Sequence, residues 1–121
     1  MKNVILVADD SPSVRKFISL TLSLKGFKII SAADGMEALE ILPNEKINLL
    51  ITDLNMPNVD GFELIRTIRA NEELKDLPII ILSSLSGNNE IQEGMACGAN
   101  SYLVKPFDPH RIVYEVTKYL N

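Results

Sequence analysis

Five short apolar runs alternate with five amphipathic stretches along the chain. That rhythm predicts strand and helix in turn, a parallel sheet covered by helices. Val4-Ile5-Leu6-Val7-Ala8 is apolar at every position, as strands buried on both faces are. The later runs are Phe27 to Ala32, Ile47 to Thr52, Ile79 to Leu82 and Ser101 to Val104. Between them the helices announce their starts. Ser11 before Pro12 and Asp108 before Pro109 are a cap followed by a proline at the first helical position. Asp34 with Glu37, and Asp60 with Glu63, have the form of capping boxes. Ser86-Gly87-Asn88-Asn89 opens a fourth helix through Ile91, Met95 and Ala96. Gly94 inside it costs roughly 1 kcal/mol relative to alanine. Gly26, Pro43-Asn44 and Gly98-Ala99-Asn100 supply the stops and turns.

Composition narrows the class. The 121 residues fit one domain around one core, with 46% hydrophobic and 23% charged residues as in ordinary globular proteins. A net charge of -4 speaks against a general nucleic-acid surface. The single cysteine, Cys97, excludes an internal disulfide and reads as a small semi-buried residue. No apolar run approaches the roughly 20 residues of a membrane helix. Met1-Lys2-Asn3-Val4 leads straight into a strand without a signal-peptide layout, so a cytoplasmic location and no membrane contact are expected. The four methionines are expected as core filler.

The chemistry gathers at the strand ends. Open parallel sheets bind their ligands at the carboxyl ends of the strands. Here those ends read Asp9-Asp10, Ala32-Ala33, Asp53, Ser83-Ser84 and Lys105. Four carry reactive groups and the second carries none. Asp53 closes the apolar run Ile47 to Thr52, and Met56-Pro57 bars immediate re-entry into a helix. Three carboxylates, Asp9, Asp10 and Asp53, repel one another unless a cation sits between them. No His or Cys accompanies them, so an all-oxygen site for Mg²⁺, with Mn²⁺ as the alternative, is expected rather than Zn²⁺. Lys105 adds an ammonium and Ser83 a hydroxyl. A carboxylate nucleophile, a divalent cation, an ammonium and a hydroxyl are the parts that phosphoryl transfer needs.

Asp9-Asp10, Asp53-Leu54-Asn55-Met56-Pro57, Asp60-Gly61, Ser83-Ser84, Gly98-Ala99 and Lys105-Pro106-Phe107 together resemble the response-regulator receiver (CheY-like) domain of two-component signalling, over the whole chain. The resemblance implies an α/β, flavodoxin-like (βα)5 fold. Its five-stranded parallel sheet has the order 2-1-3-4-5 with helices on both faces. The four reactive strands would then be neighbours, about 4.8 Å apart. It implies one receiver domain over 1–121, with no output domain. Asp53 would be the phosphoacceptor. Asp10 and Asp53 would ligate Mg²⁺ by side chain, Asn55 by its backbone carbonyl and Asp9 through water. Lys105 would pair with the phosphoryl group, and Lys105-Pro106 would be cis. Ser83 and Tyr102 would form the switch. The fourth helix, fifth strand and fifth helix would present the signal to an output protein.

The implied donor is a sensor histidine kinase or a His phosphotransfer domain. The protein would not be an enzyme in the ordinary sense, although it would catalyse its own phosphorylation and slow dephosphorylation. A monomer is expected, with dimerisation on phosphorylation as the alternative. Chemotaxis is the best-known setting of single-domain receivers. Ser83 stands where many members have Thr, which keeps the hydroxyl and loses a methyl. Asn55 and Leu85 occupy places where the family varies its dephosphorylation rate. Tyr102 is alternatively a plain half-buried strand aromatic, and His110 reads as a solvated residue rather than a phosphodonor. Leu20 and Leu24 widen the apolar face of the first helix, either to dock a phosphodonor or to pack under a neighbouring loop.

Three other functions compete. An aspartyl phosphatase of the haloacid dehalogenase kind carries Asp where Asn55 stands, and no cap insertion is present. A flavodoxin-like nucleotide binder needs a phosphate-cradling loop after the first strand, where Asp9-Asp10 would repel phosphate; no G-x-G-x-x-G or G-x-x-x-x-G-K-[ST] motif exists. A degenerate receiver acting as a scaffold would not need the intact acidic set.

Overall fold

The computed structural model describes residues 2–120, so Met1 and Asn121 lie outside the described residues. Strands β1 (Val4–Ala8), β2 (Lys28–Ala32), β3 (Leu49–Thr52), β4 (Ile79–Ser83) and β5 (Ser101–Val104) alternate with five helices. The helices are α1 (Pro12–Ser23), α2 (Gly35–Ile41), α3 (Gly61–Ala70), α4 (Asn88–Ala96) and α5 (Pro109–Thr117). The strands form one parallel sheet in the order β2-β1-β3-β4-β5. This is the flavodoxin-like arrangement that the resemblance implies, and the parallel sheet is the one the residue pattern predicts. In register, Ala8 lies beside both Ala32 and Thr52, and Ser83 lies beside Val104. The tips of β1, β2 and β3 therefore end level, while β4 and β5 run two residues further, since Thr52 pairs with Ile81.

Side chains alternate across the sheet and build two cores. Leu6, Leu50, Ile79 and Ile81 face the side that also holds Leu64, Ile65 and Ile68 of α3. Ile5, Val7, Leu49, Ile51, Ile80 and Leu82 face the other, against Ile18 and Leu22 of α1 and Ile112 and Val116 of α5. Every residue of β3 and β4 is buried. The chain between β3 and α3 thus starts from a support that cannot shift without opening both cores.

Strand boundaries differ from the sequence pattern in three places. The Phe27 amide turns back to Leu22 O at 3.3 Å, so the ladder of β2 opens at Lys28. Asn48 spends both its backbone N–H, on Val4 O, and its Oδ1, on Val4 N, so regular pairing of β3 begins only at Leu49. β4 runs one residue further, because Lys105 N donates to Ser83 O at 2.8 Å. Ser83 is therefore the last strand residue, fully buried, rather than the first of the loop.

The caps fall where expected. Asp34, Asp60 and Asp108 each accept a first-turn amide, from Glu37, Glu63 and His110, at 2.7–2.8 Å. Ser11 Oγ accepts from Val14 N at 3.3 Å. Gly94 has a packing reason. A Cβ there would stand 2.8 Å from Ile81 Cδ1 and about 3.1–3.2 Å from the Tyr102 ring. α4 gives up some intrinsic helicity and lies closer to β5. Met56 fills the core, whereas Met36 and Met95 are exposed, so the expectation of core filler fails for those two. Each stands on the outward face of its helix.

Leu50→Ala, at the centre of the sheet under α3, is expected to cost about 2–5 kcal/mol. Equilibrium urea unfolding would show it as a lower midpoint with an unchanged slope.

Candidate functional site

β1, β3 and β5 converge on one acidic hollow. Asp9 and Asp10 leave β1, Asp53 leaves β3, and a carboxylate oxygen of each lies within 4.8 Å of the others. Asp9 and Asp53 are buried and Asp10 is exposed. Two unit charges at that separation repel by roughly 3 kcal/mol at an effective dielectric near 20. The Lys105 ammonium supplies part of the balance. It lies 2.8 Å from Asp9 Oδ2 and 3.3 Å from Asp53 Oδ2, with its stem largely covered.

Asp53 is held from several directions. Its N–H continues the sheet ladder to Ala8 O at 2.9 Å. Its Oδ1 accepts from Leu54 N at 2.8 Å, and its carbonyl accepts the buried Thr52 hydroxyl at 2.8 Å. Gly61, the first residue of α3, packs its Cα against that same carbonyl. A Cβ there would collide with Asp53 O and lie 2.8 Å from Leu54 Cα. Asp9 is fixed in the same manner. Ser11 N donates to its Oδ1 at 2.9 Å, and an Arg15 guanidinium nitrogen donates to its carbonyl at 2.6 Å.

Burial pushes the Asp53 carboxyl up from its ordinary value, with the Asp9 charge adding to the effect, while Lys105 and the Leu54 amide pull it back only in part. For Lys105, burial acts to lower the ammonium pKa. The hydrogen bond to Asp9 and the charges of Asp53 and Asp9 outweigh it, and the net direction is upward. The hollow is thus short of positive charge. Its donors are oxygens, gathered within reach of one ion, with no His or Cys in the group. That donor set suits a hard divalent cation.

Ser83 lies at the tip of β4, between the tips of β3 and β5, but its hydroxyl is engaged elsewhere. It accepts from Leu85 N at 3.1 Å. Tyr102 is half-buried beneath α4 and donates its hydroxyl to Leu85 O at 2.7 Å. The backbone of Leu85 therefore links the two side chains. Lys105-Pro106 is cis. Asn55 is exposed on the loop after Asp53. His110 is exposed, and its amide completes the cap of α5.

Known proteins share this combination of sequence and fold. The family model described as the response regulator receiver domain matches residues 5–117. The chain belongs to that family. A chemotaxis protein CheY homolog of Campylobacter jejuni is 40% identical over 107 residues, 87% of this chain and 82% of the relative. A probable transcriptional regulator, ycf27, of Porphyridium aerugineum is 42% identical over 111 residues. That match takes in 92% of this chain but only 45% of the regulator, so the chain spans about half the length of such a relative. Among solved structures, the receiver domain of the sensor histidine kinase PA1611 from Pseudomonas aeruginosa superimposes with a TM-score of 0.90 at 26% identity. Coverage is 98% of both chains, and that domain has a magnesium ion coordinated in its active-site cleft.

The receiver fold thus brings Asp9, Asp10, Asp53 and Lys105 together and leaves Ser83 and Tyr102 one step away. Sequence reasoning overlooked Arg15, Thr52 and the role of Gly61. Only Gly61 carried a signal, since a glycine directly after a cap is a poor helix former unless a neighbour needs the space.

The raised Asp53 pKa has a sign for stability. The folded carboxyl holds its proton above the ordinary carboxylate value of 3.8, so ionisation weighs against the fold as pH rises past that value. Without divalent cations, Asp53→Asn is expected to melt higher than the unsubstituted protein at pH 7, and the gain should vanish near pH 3. Differential scanning calorimetry at the two pH values checks this.

Proposed function

We propose that this receiver domain is a phosphorylation-operated switch whose acceptor is Asp53. The observation that carries the reading is the meeting of Asp9, Asp10, Asp53 and Lys105 in one hollow at the strand tips. Asp10, Asp53 and the Asn55 carbonyl would hold Mg²⁺, with Asp9 acting through water and Mn²⁺ as a substitute. A bound divalent ion neutralises carboxylate charge and ligates phosphoryl oxygens. The magnesium in the PA1611 receiver supports this choice of ion.

A carboxylate oxygen of Asp53 attacks the phosphorus of a phosphohistidine. The P–N bond breaks, a P–O bond forms, and the departing imidazole takes up a proton. Lys105 offsets charge on the phosphoryl oxygens, and the Leu54 amide and Thr52 hydroxyl keep the acceptor in line. The contribution is positioning and electrostatic stabilisation, with no dedicated base in the hollow. Hydrolysis of the acyl phosphate later resets the domain. This self-catalysed cycle, and not turnover of outside substrates, is the activity we assign.

The readout runs through Leu85. When Ser83 turns its hydroxyl toward phosphoryl oxygens it gives up the Leu85 amide, and Leu85 O carries that change to Tyr102. The face formed by α4, β5 and α5 responds and meets an output partner. The effect is a shift between two existing populations. The donor is a histidine kinase or His phosphotransfer domain, docking beside the hollow. There Val14, Phe17 and Phe107 line an apolar groove of about 420 Å³ that reaches Lys105. Leu20 in α1 and Leu24 at its C-cap add exposed apolar surface, at 58% and 85% exposure, which supports docking over packing under a neighbouring loop. Among the described residues no helix is long and apolar enough to cross a membrane. We place the switch in the cytoplasm, with no nucleic acid among its partners, and as a monomer before phosphorylation.

Incubation with Mg²⁺ and acetyl phosphate should add one phosphoryl group, mapped by mass spectrometry to Asp53. Adduct on another residue, or none, defeats the reading. Replacing Leu20 and Leu24 together by Ala should slow transfer from a phosphohistidine donor about tenfold or more, as for loss of a modest docking contact of roughly 1.4 kcal/mol, while acetyl phosphate still reacts at the unsubstituted rate. Equal slowing with both donors would remove these leucines from docking.

A further inference from the structure

The tip of β2 is chemically blank, yet the helix after it touches the site's loop. The chain between β3 and α3 leaves Asp53, passes Asn55 and returns to the Asp60 cap. Its inner end is tied down by Gly61 N to Leu54 O at 2.9 Å. Its outer half is fastened to the start of α2. Asn58 sits in the left-handed region at φ 67°, and its Nδ2 donates to Asp34 Oδ2 at 2.7 Å. Gly35 N donates to Val59 O at 3.1 Å. A Cβ on Gly35 would run into that carbonyl, so the two segments are in the closest contact glycine allows.

Asp34 uses both carboxylate oxygens. Oδ1 caps α2 through Glu37 N at 2.8 Å, and Oδ2 holds Asn58. Those two bonds, the Glu37 amide first, lower its pKa from the ordinary value. A cap needs only one oxygen. The second serves the loop three residues beyond Asn55. No backbone hydrogen bond by Asn55 itself appears among the described contacts.

We propose that Asp34 is a positioning residue for the cation site: by gripping Asn58 it fixes where the loop presents the Asn55 carbonyl. This deepens the function proposed above and rests on its assignment of Asn55 as a ligand. α2 and the tip of β2 then have a mechanical part in a site to which they give no chemical group. Groups that orient the ligands of a metal commonly govern affinity without touching the ion.

Two substitutions separate tether from cap. Asp34→Ser keeps a capping oxygen and loses the second one. Asn58→Gly keeps the left-handed backbone and loses the side-chain bond, so it stands in should Asp34→Ser fold poorly. Calorimetric titration with Mg²⁺ alone is expected to show about tenfold weaker binding in each, at the low end for groups behind a metal ligand. The double variant should be no weaker than either single one, because both remove the same bond. Asp34→Asn, with its carbonyl on the cap and its amide facing a turned Asn58 amide, should restore affinity. In the metal-free protein, hydrogen exchange at the Gly35 amide should quicken in Asp34→Ser. Unsubstituted affinity in either single variant, or additive losses in the double, overturns the proposal. Mg²⁺ binding abolished by Asp10→Ala but intact in Asp34→Ser sinks this inference alone. An unsubstituted protein that takes up no Mg²⁺ sinks it together with the cation assignment.

Discussion

The arrangement depends on a charge imbalance at the tips of three strands, β1, β3 and β5. Two covered carboxylates share one ammonium, and a third carboxylate stands at the rim. Nothing in apolar packing favours such a cluster; burial alone opposes it. It persists because Lys105 lies between Asp9 and Asp53 and because the backbone of each acid is pinned by neighbours. The residual negative charge leaves the hollow receptive to a cation and, once that is met, to a phosphoryl group.

The fold converts this imbalance into something usable. Asp9 and Asp53 follow strand tips that end level, and the longer β4 and β5 bring Ser83 and Lys105 to the same edge of the sheet, so groups far apart in the chain arrive side by side. Asp53 is fixed from both flanks, by the Thr52 hydroxyl and by the close approach of Gly61. The moving parts lie one layer out. Ser83 and Tyr102 meet through a single peptide segment at Leu85. Gly94 leaves the Tyr102 ring its place under α4. A rigid acceptor beside a softer linkage is what a switch requires, since the reacting atoms must be held while the readout rearranges.

Much of this was legible in the residues. Short apolar-rich runs identified the strands, and Ser11, Asp34, Asp60 and Asp108 identified helix starts, because both signals are local. Reactive types at four strand tips pointed to the hollow, and Lys105 followed from its place after β5. Boundaries were less legible where a side chain replaces a backbone bond, as Asn48 does, or where a helix turn reaches forward to Phe27. The grip of Asp34 on Asn58 was hidden because its two ends lie on separate elements and the aspartate already had a reason to be there as a cap. Gly94 read as a flaw in α4 for the same kind of reason, since the ring that needs the room comes from β5.

The central claim is electrostatic, and carbon-detected NMR titration of the Asp53 side-chain carboxyl tests it most directly. The account predicts that this group titrates above the ordinary carboxylate range without metal, through burial and the Asp9 charge. Saturating Mg²⁺ should then bring it down well below that range. A carboxyl that titrates at the ordinary value and ignores Mg²⁺ would contradict the account.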